Sequence, residues 1–282
     1  MAASKKNRLV QPVVKWAGGK RQLLQEIDKY IPKRISTYYE PFLGGGALLF
    51  HLQPRKAIVS DLNKELINIY NVIRGNVEEL IFDLQQHVNT EDHYYYIREM
   101  DRLPEYKRMT NIQKASRIIY LNKTCYNGLF RVNSQGQFNV PFGKYKRPNI
   151  VNDIVLRAVS RFLNSKDIRF LNVDYEESLN GIRRGAFVYF DPPYDPVSDT
   201  SSFTGYTLDG FGRDEQLRLK QVCDRLNQRG IKFLLSNSAT PFIKELYEDY
   251  IIEIVGANRS INSNASNRGE IREVLVRNYD VD

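Results

Sequence analysis

Two cysteines, three histidines and one tryptophan are all that this chain of 282 residues holds of those types. Cys125 and Cys223 stand far apart and in no metal-type cluster. That spacing argues against a disulfide framework and for a reducing, cytoplasmic setting. The scattered histidines offer no zinc-type spacing, so no metal is expected. No apolar run approaches the length of a membrane span, and the opening Met1-Ala2-Ala3-Ser4-Lys5-Lys6 lacks the apolar core of a signal peptide. Acid is also missing locally: from Tyr106 to Asn152 there is neither Asp nor Glu. The same span carries Lys107, Arg108, Lys114, Arg117, Lys123, Arg131, Lys144, Lys146 and Arg147, with Tyr120, Tyr126, Phe130, Phe138, Phe142 and Tyr145 between them. A solvated face ordinarily mixes its signs. One sign interleaved with aromatics reads as a surface for a polyanion, DNA or RNA. The plainer alternative is a basic helical region with no partner.

What is present fits a globular protein: 42% hydrophobic, 26% charged, with a formal charge of +8. Strand and helix signals alternate at the start. Residues 36–42 read as a buried strand, 47–52 as a helix, 57–61 as a second strand ending in an acid, and 62–74 as an amphipathic helix with Leu66, Ile69, Tyr70 and Ile73 on one face. Such βαβα order predicts a parallel sheet. After Gly75 the character changes to helix and loop signals, with a short hairpin arm suggested over 137–140. This reads as an inserted domain over 75–166, splitting a second domain into 1–74 and 167–282. The α/β pattern then resumes: strands over 168–173, 186–190 and 231–236, a helix over 214–229 capped by Asp214 and closed by Gly230, and two final strand-like runs that can pair as an antiparallel hairpin. The polar loops 195–213 and 258–268 are candidates for mobile, substrate-facing segments.

The densest signal is Phe187-Val188-Tyr189-Phe190-Asp191-Pro192-Pro193-Tyr194. An apolar strand ends in a carboxylate, and two prolines stop it because neither donates to a sheet ladder. One acid, one freed carbonyl and one aromatic face then stand together at the carboxyl end of a strand, where open α/β sheets bind ligands. Taken alone, Asp and Pro are ordinary turn residues. The glycine loop Leu43-Gly44-Gly45-Gly46 follows a strand and opens a helix, yet it lacks the G-x-G-x-x-G spacing. Ala17-Gly18-Gly19-Lys20 likewise lacks P-loop spacing. A glycine loop without a phosphate cradle, with Asp61 close to the interval of about 20 residues at which dinucleotide folds carry a ribose acceptor, suits a nucleoside ligand. Asp61 can equally serve as a helix cap.

Val14-Lys15-Trp16-Ala17-Gly18-Gly19-Lys20, Glu40-Pro41-Phe42-Leu43-Gly44-Gly45-Gly46 and Asp191-Pro192-Pro193-Tyr194, in that order, resemble the Dam-type (D12 class) site-specific DNA adenine-N6 methyltransferases. Tyr126-Asn127-Gly128-Leu129-Phe130-Arg131 and Phe138-Asn139-Val140-Pro141-Phe142-Gly143 resemble their target-recognition insert. Ser236-Asn237, Arg259-Ser260-Ile261 and Ser266-Asn267-Arg268-Gly269 also fit. The resemblance extends from about Val14 to Tyr279. Its three consecutive glycines differ from members with a small non-glycine residue between two glycines.

The resemblance implies an α/β fold: a Rossmann-like, doubly wound sheet of the S-adenosylmethionine-dependent methyltransferase type with an antiparallel terminal strand. To this it adds an inserted, mostly helical DNA-recognition domain with a β-hairpin. It implies methyl transfer from S-adenosylmethionine to adenine N6 in double-stranded DNA, usually at GATC, with the base flipped from the duplex and no metal. By position it assigns Asp191, Pro192 and Tyr194 to catalysis. Trp16, Lys20, Phe42, Gly44, Gly46, Asp61 and Asp191 fall to the cofactor, and Lys15, Tyr126, Asn127, Leu129, Arg131, Pro141 and Tyr145 to DNA. The chemistry agrees. Acceptors at Asp191 and the Pro192 carbonyl would hold both amino hydrogens, Tyr194 offers a stacking face, and Arg131 is a candidate for reading guanine. A phosphate contact is the commoner role for a single arginine. A cytosine-N4 or RNA adenine methyltransferase would keep the acceptor site but need another pocket or groove reader. A DNA-binding protein with a vestigial cofactor fold is disfavoured by the complete motif set. A restriction endonuclease acting on the same sequence is a partner the resemblance leaves open.

Overall fold

The computed structural model describes residues 6–16, 20, 23–196, 211–257 and 271–281. The expected loops over 195–213 and 258–268, and the Ala17-Gly18-Gly19 and Arg259 to Gly269 stretches, lie wholly or largely outside the described residues. Among the described residues, seven strands form the sheet. The chain divides into two units, one of residues 1–19, 43–55 and 60–173, the other of 20–42, 56–59 and 174–282. The segment 75–166 falls within the first.

The second unit contains α1 (Leu24–Asp28), β1 (Tyr38–Glu40), most of β2 (Lys56–Ser60), β4 (Phe187–Phe190), α8 (Arg213–Gln228), β5 (Lys232–Ser238), α9 (Pro241–Leu246), β6 (Ile251–Ala257) and β7 (Ile271–Arg277). Its strands lie in the order β2-β1-β4-β5-β7-β6. The first four are parallel, in registers that set Tyr39 beside Val188 and Phe190 beside Leu235. β7 runs antiparallel to both β5 and β6, which supplies the reversed terminal strand. Val188, Phe190, Phe233 and Leu235 pack with Leu219, Cys223 and Leu226 of α8. A continuous apolar run is what a strand covered on both faces requires. α8 begins after Gly212, so Asp214 lies in its first turn and does not cap it. There the carboxylate still complements the helix dipole.

The first unit contains α2 (Ala47–Leu52), α3 (Lys64–Gly75), α4 (Val77–Gln85), α5 (Glu91–Glu99), α6 (Asn111–Thr124), α7 (Asp153–Ser165) and β3 (Asp167–Leu171). Leu66, Ile69, Tyr70 and Ile73 of α3 are all buried, as their spacing predicts. α6 opens on a reciprocal cap between Thr110 and Gln113. The suggested hairpin arm is reduced to two isolated bridges, Val132 with Phe138 and Cys125 with Phe142. The turn is held by backbone and side chain together: Asn133 N–H donates to the Gln137 carbonyl at 2.8 Å, and Asn133 Oδ1 accepts the N–H groups of Gln135 and Gln137. Tyr94, Tyr120, Cys125, Phe138 and Val140 form the core beneath it.

One basic residue of the acid-free span is not on the surface. Arg117 of α6 is buried, donates to the carbonyls of Ile97 and Arg98, and pairs with Asp101 at 2.8 Å. Asp101 also accepts the Phe138 N–H at 2.8 Å. A buried guanidinium survives only when paired and hydrogen-bonded, so this arginine ties the turn to the helices and is unavailable to a polyanion.

Candidate active site

In the second unit, β4 delivers Asp191 to its carboxyl end, with Pro192 and Pro193 ending the strand. The Asp191 side chain is 20% exposed. Its Oδ1 accepts from Lys20 Nζ at 2.8 Å and from Ser236 Oγ at 3.0 Å. Burial pushes the Asp191 carboxyl above the ordinary carboxylate value, and Lys20 and Ser236 oppose that shift without cancelling it. Ser236 stands on β5, the neighbouring strand, and its oxygen lies 3.0 Å from the buried Tyr189 hydroxyl. Lys20 is itself buried and lies 4.3 Å from the centre of the Tyr194 ring. The Tyr194 hydroxyl donates to Glu273 of β7 at 2.6 Å. Beyond it, Gln216 Nε2 donates to the Pro193 carbonyl at 2.8 Å. Phe42 stacks on Tyr175 at 5.1 Å and meets Phe190 and Phe211 edge-on.

Ser236, Glu273 and Gln216 are residues to which the sequence alone gives no role, although Ser236-Asn237 is part of the family resemblance. Gln216 does leave a trace in sequence: it is a polar residue on the buried α8 face of Leu219, Cys223 and Leu226.

The first unit holds the glycine loop. Gly44 N–H donates to Asp61 Oδ2 at 2.9 Å, and Asn63 N–H donates to Asp61 Oδ1 at 2.9 Å. Asp61 does not cap α3. Asn63 does, accepting from Glu65 and Leu66. Gly44 has φ +50°, and a side chain there would begin 3.1 Å from Trp16 Cδ1. Gly46, at φ +67°, opens α2 in the left-handed region that favours glycine. Trp16 stacks on Phe130 at 4.6 Å.

The residues expected at DNA also gather in this unit. The backbone of Lys15 exchanges hydrogen bonds with the Asn122 amide, which also donates to the Gly128 carbonyl. Gly128 lies so close to Lys15 that a Cβ would sit 2.5 Å from its Cδ. Tyr126 N–H donates to the Pro141 carbonyl at 2.9 Å, and Asn127 takes φ +56°. Tyr126 is 52% exposed and Arg131, Pro141 and Tyr145 are exposed, while Leu129 is half-buried. Arg131 Nε donates to Asn139 Oδ1 at 2.8 Å. Among the described residues no three-residue His, Cys, Asp or Glu group could hold a metal ion, and no helix is long and apolar enough to cross a membrane. Cys125 and Cys223 are free and buried, and burial pushes the Cys125 thiol up to about 12.

Residues 16–261 match the family of D12 class N6 adenine-specific DNA methyltransferases, and the chain belongs to that family. It is an adenine-specific DNA methyltransferase, with DNA as its substrate. The type II methyltransferase M1.LlaDCHI of Lactococcus lactis subsp. cremoris is 43% identical over 277 residues, covering 97% of this chain and 98% of the relative. The type II methyltransferase M.MjaIII of Methanocaldococcus jannaschii is 40% identical, covering 96% and 99%. The DNA adenine methylase of Escherichia coli K12 is 33% identical, covering 96% and 95%.

Proposed function

We propose that the chain transfers the methyl group of S-adenosylmethionine to adenine N6 within GATC in double-stranded DNA, on a base flipped out of the duplex. The observation that carries this reading is the Asp191 carboxylate, whose Oδ1 already accepts an amino N–H from Lys20 and a hydroxyl from Ser236 beside the half-buried Tyr194 ring. An exocyclic amino group is the substrate such an acceptor suits.

The first unit's residues fit the nucleoside part of the cofactor. Gly44 presents bare backbone beside Trp16, and its N–H together with that of Asn63 orients the Asp61 carboxylate. Trp16, Gly44, Gly46 and Asp61 are proposed to hold it. When bound, S-adenosylmethionine supplies an electrophilic sulfonium methyl. Asp191 and the Pro192 carbonyl accept the two N6 hydrogens, which localises the nitrogen lone pair and aims it out of the ring plane. Held so, N6 would accept the methyl that the bound sulfonium supplies, the donor leaving as its neutral thioether and the surplus N6 proton passing to solvent. Tyr194 stacks the flipped base, whose unpairing costs a few kcal/mol.

The sheet is read as the doubly wound methyltransferase type, and 75–166 as the inserted target-recognition domain. Lys15 and, within the insert, Tyr126, Asn127, Leu129, Arg131, Pro141 and Tyr145 face DNA, with Tyr126 wedging into the stack. The relatives at 43% and 40% carry type II names while the DNA adenine methylase stands at 33%. That order favours a modification enzyme paired with a restriction endonuclease over a solitary one.

Methylation of mixed-sequence DNA in vitro, followed by single-molecule detection of modified bases, tests base, position and sequence together. Modified adenine at GATC is expected, and modification at another sequence or at cytosine N4 overturns the reading. Arg131→Ala is expected to relax sequence choice by about 1–3 kcal/mol. A uniform affinity loss with unchanged discrimination would make Arg131 a phosphate contact.

A further inference from the structure

We infer that Gln216 and Asn237 are positioning residues that clamp the backbone on both sides of Tyr194. The inference rests on the reading of Asp191 to Tyr194 as the transfer site. It starts from what the two prolines remove. Pro192 and Pro193 carry no N–H, so a sheet ladder cannot hold this stretch. Side chains hold it instead, through the Pro193 carbonyl and through the Asp195 N–H.

The bonds form a closed ring. Before Tyr194, the Pro193 carbonyl accepts Gln216 Nε2 at 2.8 Å. Gln216 Oε1 accepts Asn237 Nδ2 at 3.1 Å, and Asn237 Oδ1 accepts the Asp195 N–H at 3.0 Å, just after Tyr194. Both amides are almost wholly buried, at 1% and 0% exposure. Each has only one orientation that satisfies this ring, since turning either would set like groups against each other. A buried amide in the apolar stripe of Leu219, Cys223 and Leu226 is costly unless hydrogen-bonded, and here its donor goes to the carbonyl preceding the stacking tyrosine. Supports stand around the ring. Thr240 Oγ1 donates to the Asp195 carboxylate at 2.7 Å, Ser238 Oγ donates to the Asp195 carbonyl at 2.6 Å, and Glu273 accepts from the Tyr194 hydroxyl. Tyr194 is therefore fixed at its backbone by two amides and at its phenol by a carboxylate. An aromatic face and an adjacent acceptor carbonyl need this, because a misplacement of about 1 Å can cost 100-fold in rate.

The test compares Gln216→Met and Gln216→Glu with the wild type and with Asp191→Ala. Single-turnover methylation and DNA affinity are measured across pH on protein whose melting temperature is checked. Gln216→Met removes the donor to Pro193, and kcat is expected to fall about 10- to 100-fold while KM for DNA stays within about threefold. In Gln216→Glu the introduced carboxyl faces a carbonyl and is buried, so it holds its proton well above the ordinary carboxylate range. Protonated, it donates to Pro193 as the amide did; ionised, it repels that carbonyl. Its kcat relative to wild type at the same pH is therefore expected to approach unity on the acid side and to fall as pH rises through a new ionisation. Gln216→Met should show no such step. A merely structural glutamine would give a pH-independent ratio with DNA affinity lost in parallel, and that result overturns the clamp. Both variants within twofold of wild type, with Asp191→Ala inactive, would also overturn it while leaving the reading of the site standing. Normal turnover by Asp191→Ala would instead overturn that reading, and the clamp with it. If Gln216→Met does not fold, Gln216→Glu alone decides by the presence or absence of the pH step.

Discussion

Asp61 and Asp191 both stand at the carboxyl end of a parallel strand, yet backbone donors reach the first and side-chain donors the second. Asp61 receives backbone N–H groups, from Gly44 on one oxygen and Asn63 on the other. Asp191 receives side chains, Lys20 and Ser236, both on Oδ1. Backbone donors are fixed by the fold, so Asp61 shapes the glycine loop and the approach to α3. Side-chain donors can rotate away, so the partners of Asp191 can change. That difference fits the roles proposed for them, Asp61 in binding and Asp191 at the reacting amino group.

Asp191→Ala presses that difference hardest. Loss of a preorganised partner for developing charge typically costs 100- to 1,000-fold, and methyl transfer is expected to fall by at least about 100-fold with DNA affinity largely kept. A tritiated-methyl assay beside a DNA-binding titration reads both. Near-normal turnover would return Asp191 to the status of a strand-ending turn residue.

Asp61→Ala should act differently. It strips two backbone donors of a charged acceptor, and because Gly44 and Asp61 are only half-buried, water takes over part of the loss. About 1–2 kcal/mol of stability is expected to go, with a weakened apparent affinity for the methyl donor and a kcat reduced far less than in Asp191→Ala. Denaturant titration and KM for the donor measure the two effects. A stable protein as inactive as Asp191→Ala would erase the contrast.

Much of this contrast is legible in the sequence, for local reasons. Two prolines after an apolar run place Asp191 at a strand end whatever lies around it, and the glycine loop before Ala47 announces α2 in the same way. What cannot be read is non-local. Nothing near Asp191 in the chain names Ser236, 45 residues on, or Glu273 beneath the Tyr194 phenol. The acid-free span hides that Arg117 finds its carboxylate at Asp101, which lies before the span begins. Caps fail more subtly, since Asp61 and Asn63 both suit a helix start and only the backbone direction chooses Asn63.

Lys20→Met tests the electrostatic half of the contrast. Burial raises the Asp191 carboxyl and Lys20 pulls against it. Transfer needs the ionised form, so the wild-type rate should fall as pH drops through a value above the ordinary aspartate figure of about 3.9. Without the cation that acid limb moves to higher pH, and below it the rate declines about tenfold per pH unit. Single-turnover rates across the acid range locate both limbs. Coincident limbs would mean that Lys20 does not hold the charge on Asp191.

Ser236→Ala should give the smallest change, and its direction follows from counting protons. The Ser236 hydroxyl has one hydrogen, and Asp191 Oδ1 at 3.0 Å lies nearer than the Phe190 carbonyl at 3.5 Å. Its hydrogen therefore goes to the carboxylate, and the Tyr189 hydroxyl, 3.0 Å away, must donate to the serine. The relay runs from Tyr189 through Ser236 to Asp191, each bond polarising the next. Alanine removes one neutral donor from Asp191 and leaves the buried Tyr189 hydroxyl without its acceptor, at about 0.5–1.5 kcal/mol for the lost bond. The rate should fall about 3- to 10-fold, and the acid limb should move upward, in the same direction as in Lys20→Met. Tyr189→Phe keeps the serine donor and loses only the polarisation, so it should fall less than Ser236→Ala. If Tyr189→Phe instead matched Ser236→Ala in rate and limb, the serine would be acting only as a conduit for the tyrosine, and Asp191 would depend on its own strand as Asp61 depends on backbone.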